Sequence, residues 1–533
     1  MRLLPSTRRC AAARWIGCLL GLLASAAFAD WPTHRGPAAS GSAVDCGRAL
    51  IDDLAQARLI WFSQEKTPSA YGIDLKTPHG FIQGGYASPV VADGKVYLYY
   101  WVPAGPVCDE EYVQKGLADP RASLLGEAVI RQKYAILADD VVLCIDAATG
   151  KTLWKSVQKQ KGFNFSKQGR GVCISVKGAP RLDVTVGGGK VYSIGSAGRI
   201  YALDAATGRL VWESKLNKIS ATVEAAARAS LQAKKLEPPR AGLTVCPLYV
   251  DGIVAVEDDD GLWGLDAATG KPLWGPVPGW RHAGGSCPLR WNHHGKDYII
   301  AESTCIDPKT GQVLWKVDAA VHSDESGCVA IAGDHLVFSG GGRRGVSGLQ
   351  CYKIAPTGAT RLWALGPEFA VKQFASPVIH RGHIYTRAGG ENGDTKMICV
   401  ELATGKVVAR ADCPGSCNEV VATDGRIFYE GSYQGPTMYD ADPKNFRVLS
   451  TGTLKGLNFA CSVPPAIADG RMYYRSNVLG VMCLDLRKGS TAGKPVTDFI
   501  QPPPAPPAKT VPPPRIPPPA KPAQLPDIDE IDR

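Results

Sequence analysis

The sequence predicts an all-β fold: a closed ring of eight four-stranded antiparallel units, with small helical insertions. Three observations predict it. The phrase Ile145-Asp146-Ala147-Ala148-Thr149-Gly150-Lys151-Thr152-Leu153-Trp154 returns at Leu203 to Trp212, Asp266 to Trp274 and Asp307 to Trp315, with weaker copies at Pro356-Thr357-Gly358 before Trp363, Glu401 to Gly405 and Asp440 to Pro443. A second phrase, exemplified by Ser88-Pro89-Val90-Val91-Ala92-Asp93-Gly94-Lys95-Val96-Tyr97, opens units near residues 88, 183, 246, 287, 328, 376, 419 and 464. The last unit stops at Asp485 with no tryptophan strand after it, while an orphan strand of that kind, Leu59-Ile60-Trp61-Phe62, stands near the start.

Each phrase reads as strand, turn, strand. In the first, Asp accepts backbone N–H groups, Gly takes the left-handed position, and Trp falls on the strand that follows. The opening phrase is a second hairpin, so a unit holds four strands. Glycines 150, 208, 270, 311, 358 and 405 are 58, 62, 41, 47 and 47 residues apart, which is a period of about 40 to 47 carrying insertions. Pairing Leu59–Phe62 with the final unit closes the ring and leaves only short edges exposed. Trp61, Trp154, Trp212, Trp274 and Trp315 are then structural, wedged between neighbours.

Along the chain, residues 1–29 read as a cleaved secretory signal: a basic start, an apolar stretch from Trp15 to Leu23, and Ala27-Phe28-Ala29 before Asp30. Cys18 does not suit a lipid acceptor, because apolar Leu19 to Leu23 follow it. Residues 30–58 are a lead-in and 59–489 the repeat array. Insertions fall at 103–138 and 216–242; Ala221 to Leu236 is rich in helix formers until Pro238-Pro239. Residues 490–533 are a tail, with thirteen prolines between 502 and 526, expected to be a disordered spacer. No run of 18 apolar residues follows the leader, so no membrane-spanning helix is expected. Lys+Arg number 60 against 50 Asp+Glu, and without the leader arginines the net charge is +6, scattered along the chain. That excludes the basic stripe of a nucleic-acid binder.

These repeats resemble the pyrroloquinoline-quinone-like (PQQ-like) family, whose units read Leu-Asp-Ala-x-Thr-Gly-x-x-x-Trp; the resemblance implies an eight-bladed β-propeller over about residues 59–489. Asp30-Trp31-Pro32-Thr33-His34-Arg35-Gly36-Pro37 also looks like the mature start of exported bacterial members. The family includes quinoprotein dehydrogenases and non-catalytic scaffolds such as the outer-membrane assembly propeller BamB.

In that fold the opening strand is innermost, so Ser88, Asp183, Cys246, Cys287, Cys328, Ser376, Glu419 and Pro464 should ring the channel mouth. With His282 and His322 upstream in the same loops, Cys246, Cys287 and Cys328 form a candidate soft-metal set. Cys144, Cys305, Cys399 and Cys483, two residues before each turn acid, with Cys351 nearby, alternate with Ala202 and Gly264 and read as small buried core residues. Most thiols are therefore expected to stay free despite export, with Cys413 and Cys417 the candidate exception.

The dehydrogenase branch implies PQQ held with Ca²⁺, for which Asp183, Arg281, Asp324, Glu325, Asn418, Glu419 and Asn458 are the candidate funnel-rim residues. The adjacent cysteine pair of that branch is missing, as are Cys-x-x-Cys-His for a haem and the Gly-x-Ser-x-Gly and His-Glu-x-x-His signatures of hydrolases. The sequence reading is an exported, monomeric, non-catalytic scaffold without cofactor, binding a protein or cell-envelope component through its funnel face. The alternative is a PQQ- and calcium-dependent oxidoreductase of alcohols or sugars.

Overall fold

The computed structural model describes residues 30–499 except 43, 68–83, 86, 108–109, 119–126, 129–130, 132–134, 164–181, most of 216–245, 259–260, 279–286, 302, 318–328, 340–347, 370–375, 389–394, 414–419, 431–434, 453, 455–456, 458–462 and 477–478. The expected signal peptide (1–29) and the residues from 500 onward lie outside this range.

The turn phrase folds as its residue types dictate. Asp146 Oδ1 accepts the backbone N–H of Ala148 (3.1 Å) and Thr149 (2.7 Å) and the Thr149 hydroxyl (2.7 Å), while the Gly150 N–H donates to the Asp146 carbonyl (2.9 Å) with Gly150 at φ +75°. Asp204, Asp266 and Asp307 repeat the arrangement. The hydrogen bonds from Thr207 and Thr269 hold the Asp204 and Asp266 carboxyls below the usual range.

Each turn is also the seat of the preceding unit's tryptophan. The indole N–H of Trp61 donates to Ala147 O (3.1 Å), Trp154 to Ala205 O (3.2 Å), Trp212 to Ala267 O (3.1 Å), Trp274 to Pro308 O (2.7 Å), Trp315 to Ala355 O (2.7 Å) and Trp363 to Leu402 O (2.9 Å). The indole lies over the turn glycine: a Cβ added at Gly150, Gly208, Gly270, Gly311 or Gly405 would sit 2.5–2.8 Å from the ring. At the sixth-to-seventh joint, which has no tryptophan, the Tyr385 hydroxyl donates to Ala441 O and Phe446 packs beside it.

Eight antiparallel sheets result, seven of four strands in simple meander order and one of five. They are the blades of a propeller. Their first strands, at Val90–Ala92, Thr185–Gly187, Leu248–Val250, Leu289–His293, Ala330–Ala332, Val378–His380, Val420–Thr423 and Ala466–Ala468, follow the eight sequence openings within a few residues, and where neighbouring blades meet at the centre it is these strands that touch. The strand Arg58–Phe62 pairs antiparallel with Gly480–Asp485, placing Trp61 opposite Cys483, and closes the ring as expected. Arg475, fully buried on the last blade, reinforces the closure by donating to the carbonyls of Gly85 (2.9 Å), Ala87 (3.2 Å) and Gly84 (3.4 Å) ahead of blade 1, and burial pushes its guanidinium down to about 10. Between blades 1 and 2 the buried Asp140 accepts from Tyr99 (2.6 Å), Ser196 (2.8 Å) and Tyr201 (3.1 Å); burial raises its pKa against those donors.

Two boundaries differ from the sequence reading. The insertion assigned to 103–138 begins and ends as strand, because Lys95–Val107 and Ala135–Asp146 extend the hairpin of blade 1, with the helix Glu110–Ala118 between them. Gly105 and Pro106 look like loop residues, yet they sit where the ladder shifts register between Ala104 and Val107, and a bulge tolerates them. Residues 490–499, assigned to the tail, fold back instead. Lys494–Pro495 adds a fifth strand against Arg58–Leu59, and Val496 is buried beneath it. Of 216–242, Ala225 and Ala229 are described, both helical. Among the described residues no helix is long and apolar enough to cross a membrane.

Replacing the buried Trp212 by Ala should lower the unfolding free energy by about 3–5 kcal/mol, and Trp61 and Trp315 should suffer alike. Leu273→Ala, at a side chain 53% exposed, should change little; chemical denaturation of the four variants checks the ranking. A chain ending at residue 489 should melt lower than one ending at 499, because it uncovers the edge of Arg58–Phe62; equal melting temperatures would refute a stabilising role for the fifth strand.

Candidate functional site in the axial channel

Eight inner strands present eight edges to the channel, and an unpaired edge carries backbone groups that need partners. The lead-in supplies them. Trp31 exchanges backbone hydrogen bonds with Val91 of blade 1 (2.7 and 2.9 Å), and Pro32 O accepts from Val186 of blade 2 (2.8 Å). Ala39 O accepts from Arg290 of blade 4 (3.0 Å), Ser40 O from Ile331 of blade 5 (2.7 Å) and Gly41 O from Ile379 of blade 6 (3.1 Å). Val44 O then takes the Thr423 hydroxyl of blade 7 (3.1 Å), and Ala49 O takes the Lys488 N–H after blade 8 (2.7 Å). The segment thus follows the ring once around before entering it as the closing strand.

Between Pro32 and Ala39 the chain turns through the channel. Arg35 (φ +69°), Gly36 (φ +95°) and Gly41 (φ +69°) are left-handed, and a Cβ on Gly41 would lie 2.2 Å from the Arg35 guanidinium. That lack of a side chain lets Arg35 pass to the carbonyls of Pro377 and Val329, at the inner-strand starts of blades 6 and 5. His34 points the other way: its Nδ1 lies 2.7 Å from Asp183 Oδ2 on blade 2, and Asp183 Oδ1 accepts the Ser88 N–H at 2.6 Å. Two consecutive residues therefore reach opposite sides of the ring. Trp31, His34, Arg35, Ser88, Asp183 and Pro464 line a small cavity here.

Beside His34 stand Cys246 of blade 3 and Cys287 of blade 4. One ligand atom from each of the three lies within 4.8 Å of the others, all three residues are buried, and the Cys246 N–H donates to Cys287 Sγ at 3.1 Å. Of the ring positions read from sequence, Ser88, Asp183, Cys246, Cys287 and Ser376 are buried, and Pro464 lines the cavity. Arg281, His282, His322, Asp324, Glu325, Cys328, Asn418, Glu419 and Asn458 lie outside the described residues, as does Cys417, so the Cys413–Cys417 pairing falls there too. Sequence reasoning missed His34 and Arg35, although a histidine and an arginine ahead of Gly36-Pro37 were visible in the opening phrase. Among the described cysteines, those of the third strands, Cys144, Cys305, Cys351, Cys399 and Cys483, are free thiols fully buried in blade cores. Burial pushes the Cys144, Cys305 and Cys351 thiols up to about 12 and Cys399 up to about 11.

Comparison with known proteins adds family membership. No curated protein matches the sequence. Among solved structures, the chain is similar to BamB from Moraxella catarrhalis, with 14% identity over 67% of this chain and 93% of that one and a TM-score of 0.44. It is also similar to the quinohemoprotein alcohol dehydrogenase from Comamonas testosteroni, with 16% identity over 87% of this chain and 81% of that one and a TM-score of 0.48. The family described as outer membrane protein assembly factor BamB matches residues 138–283 and 301–492, blade after blade of the array whose turns and tryptophans are described above, and the chain belongs to that family.

Proposed function

We propose that the protein is an exported, non-catalytic scaffold. Its propeller binds a protein or cell-envelope component through the face opposite the turn phrases, and residues 1–29 serve as its leader. The observation that carries this reading is the lead-in through the channel, where a propeller enzyme would need space for substrate and cofactor. Trp31, His34 and Arg35 fill the axis from within the chain, and their partners are fixed groups on blades 1, 2, 5 and 6. The turn face is engaged by the same segment, through Asp45 with Arg381 (2.8 Å) and Arg48 with Asp469 (2.6 Å). The reading therefore places the partner on the opposite face.

The described residues do not suit a quinone held with calcium. Among the described ring positions Asp183 carries the one carboxylate, and its two oxygens already accept from His34 and the Ser88 N–H. A calcium ion takes six to eight oxygen ligands, whereas the groups engaging Asp183 are an imidazole and a backbone N–H.

Titrating the mature chain with PQQ and Ca²⁺ should show no saturable binding by calorimetry and no dye-linked oxidation of alcohols or sugars. Saturable binding with turnover would overturn the scaffold reading in favour of the oxidoreductase.

A further inference from the structure

We propose that His34, Cys246 and Cys287 bind a thiophilic d¹⁰ cation, Zn²⁺ or Cu⁺, which fastens the lead-in to blades 3 and 4. Two thiolates and an imidazole are the donor set such ions select, whereas oxygen-seeking cations prefer carboxylates and carbonyls. The three ligand atoms already lie within 4.8 Å of one another. Bond lengths of about 2.3 Å to sulfur and 2.0 Å to nitrogen place tetrahedral ligand atoms roughly 3.5 Å apart, so small side-chain movements complete the site.

Three further features fit a built site rather than chance packing. Asp183 holds His34 by Nδ1 at 2.7 Å and is itself fixed by the Ser88 N–H at 2.6 Å, the carboxylate–histidine support that orients a metal-binding imidazole and assigns the metal to Nε2. The Cys246 N–H donates to Cys287 Sγ at 3.1 Å, a bond that favours the thiolate. Moreover, Cys246 and Cys287 form a buried cluster of their own, while Cys144, Cys305, Cys351, Cys399 and Cys483 merge into the apolar cores of the blades. The four residues come from the lead-in and blades 2, 3 and 4, so a cation there bridges segments that strand pairing alone does not join. Three protein ligands leave a fourth position for water or a small ligand.

The test uses the mature full chain, reduced, stripped with chelator and titrated with Co²⁺ as the spectroscopic stand-in for Zn²⁺, with a parallel arm in buffered Cu⁺. The expected result is one equivalent bound, with a thiolate-to-cobalt band in the near ultraviolet that Zn²⁺ abolishes. That band should fall by about half in Cys246→Ser or Cys287→Ser and stay unchanged in Cys413→Ser. Asp183→Asn should keep the band but weaken affinity by about 10–100-fold. X-ray absorption at the zinc edge of the unaltered chain needs no variant and should show two sulfurs and an imidazole nitrogen. Three results would overturn the proposal: no stoichiometric binding of either metal, a band that survives the Cys246→Ser/Cys287→Ser double variant, or a Cys246–Cys287 disulfide mapped in the protein as isolated.

Discussion

An indole seated on a glycine and donating to the neighbouring carbonyl is the joint on which the ring depends. The Asp-x-x-Thr-Gly turn makes the seat. The carboxylate gathers three donors, the glycine accepts a positive φ, and the carbonyl after the aspartate is left facing the previous blade. Any side chain on the glycine would enter the ring plane of the tryptophan. Turn geometry and blade spacing are therefore one constraint, which explains why Asp, Gly and Trp recur together.

Tyrosines reinforce the same joint, and where the phrase decays one of them replaces the indole. Tyr97 and Tyr192 donate to the carbonyls already used by Trp154 and Trp212, at 3.3 and 3.2 Å. In the sixth blade, without its tryptophan, the tyrosine bond alone remains, to Ala441 O. The two ends of the chain meet through a different device. Arg475 carries a buried charge to backbone carbonyls, a costly arrangement unless the donors are engaged, and the added strand Lys494–Pro495 covers the closing strand.

The lead-in turns a closed ring into a filled one. Its backbone serves the inner edges of successive blades, and its side chains cross the axis. The polar groups it brings, His34 and Arg35, are buried against an acid and against carbonyls respectively. This differs from a cofactor cavity, in which polar groups converge on open space. It also separates the cysteines by environment. Those on third strands lie in apolar cores where burial keeps them protonated, whereas Cys246 and Cys287 meet an imidazole and a backbone donor.

The sequence by itself determined the ring. Eight openings, the turn phrase and an orphan tryptophan strand gave blade number, strand order and closure, because each signal is local: hairpins depend on residues a few positions apart, and a repeat shows itself by recurrence. The tryptophan joint was legible for the same reason, as was the burial of the third-strand cysteines. The contents of the channel were decided only by tertiary structure. His34 meets Asp183 across 149 positions, and Arg35 meets Pro377 across 342, so no window of sequence holds both partners. Residues 30–58 repeat nothing and alternate nothing, since their hydrogen bonds go to seven different blades. Cys246 and Cys287 could be placed side by side from register alone, but the histidine beside them came from the lead-in, which only the closed ring brings to the axis.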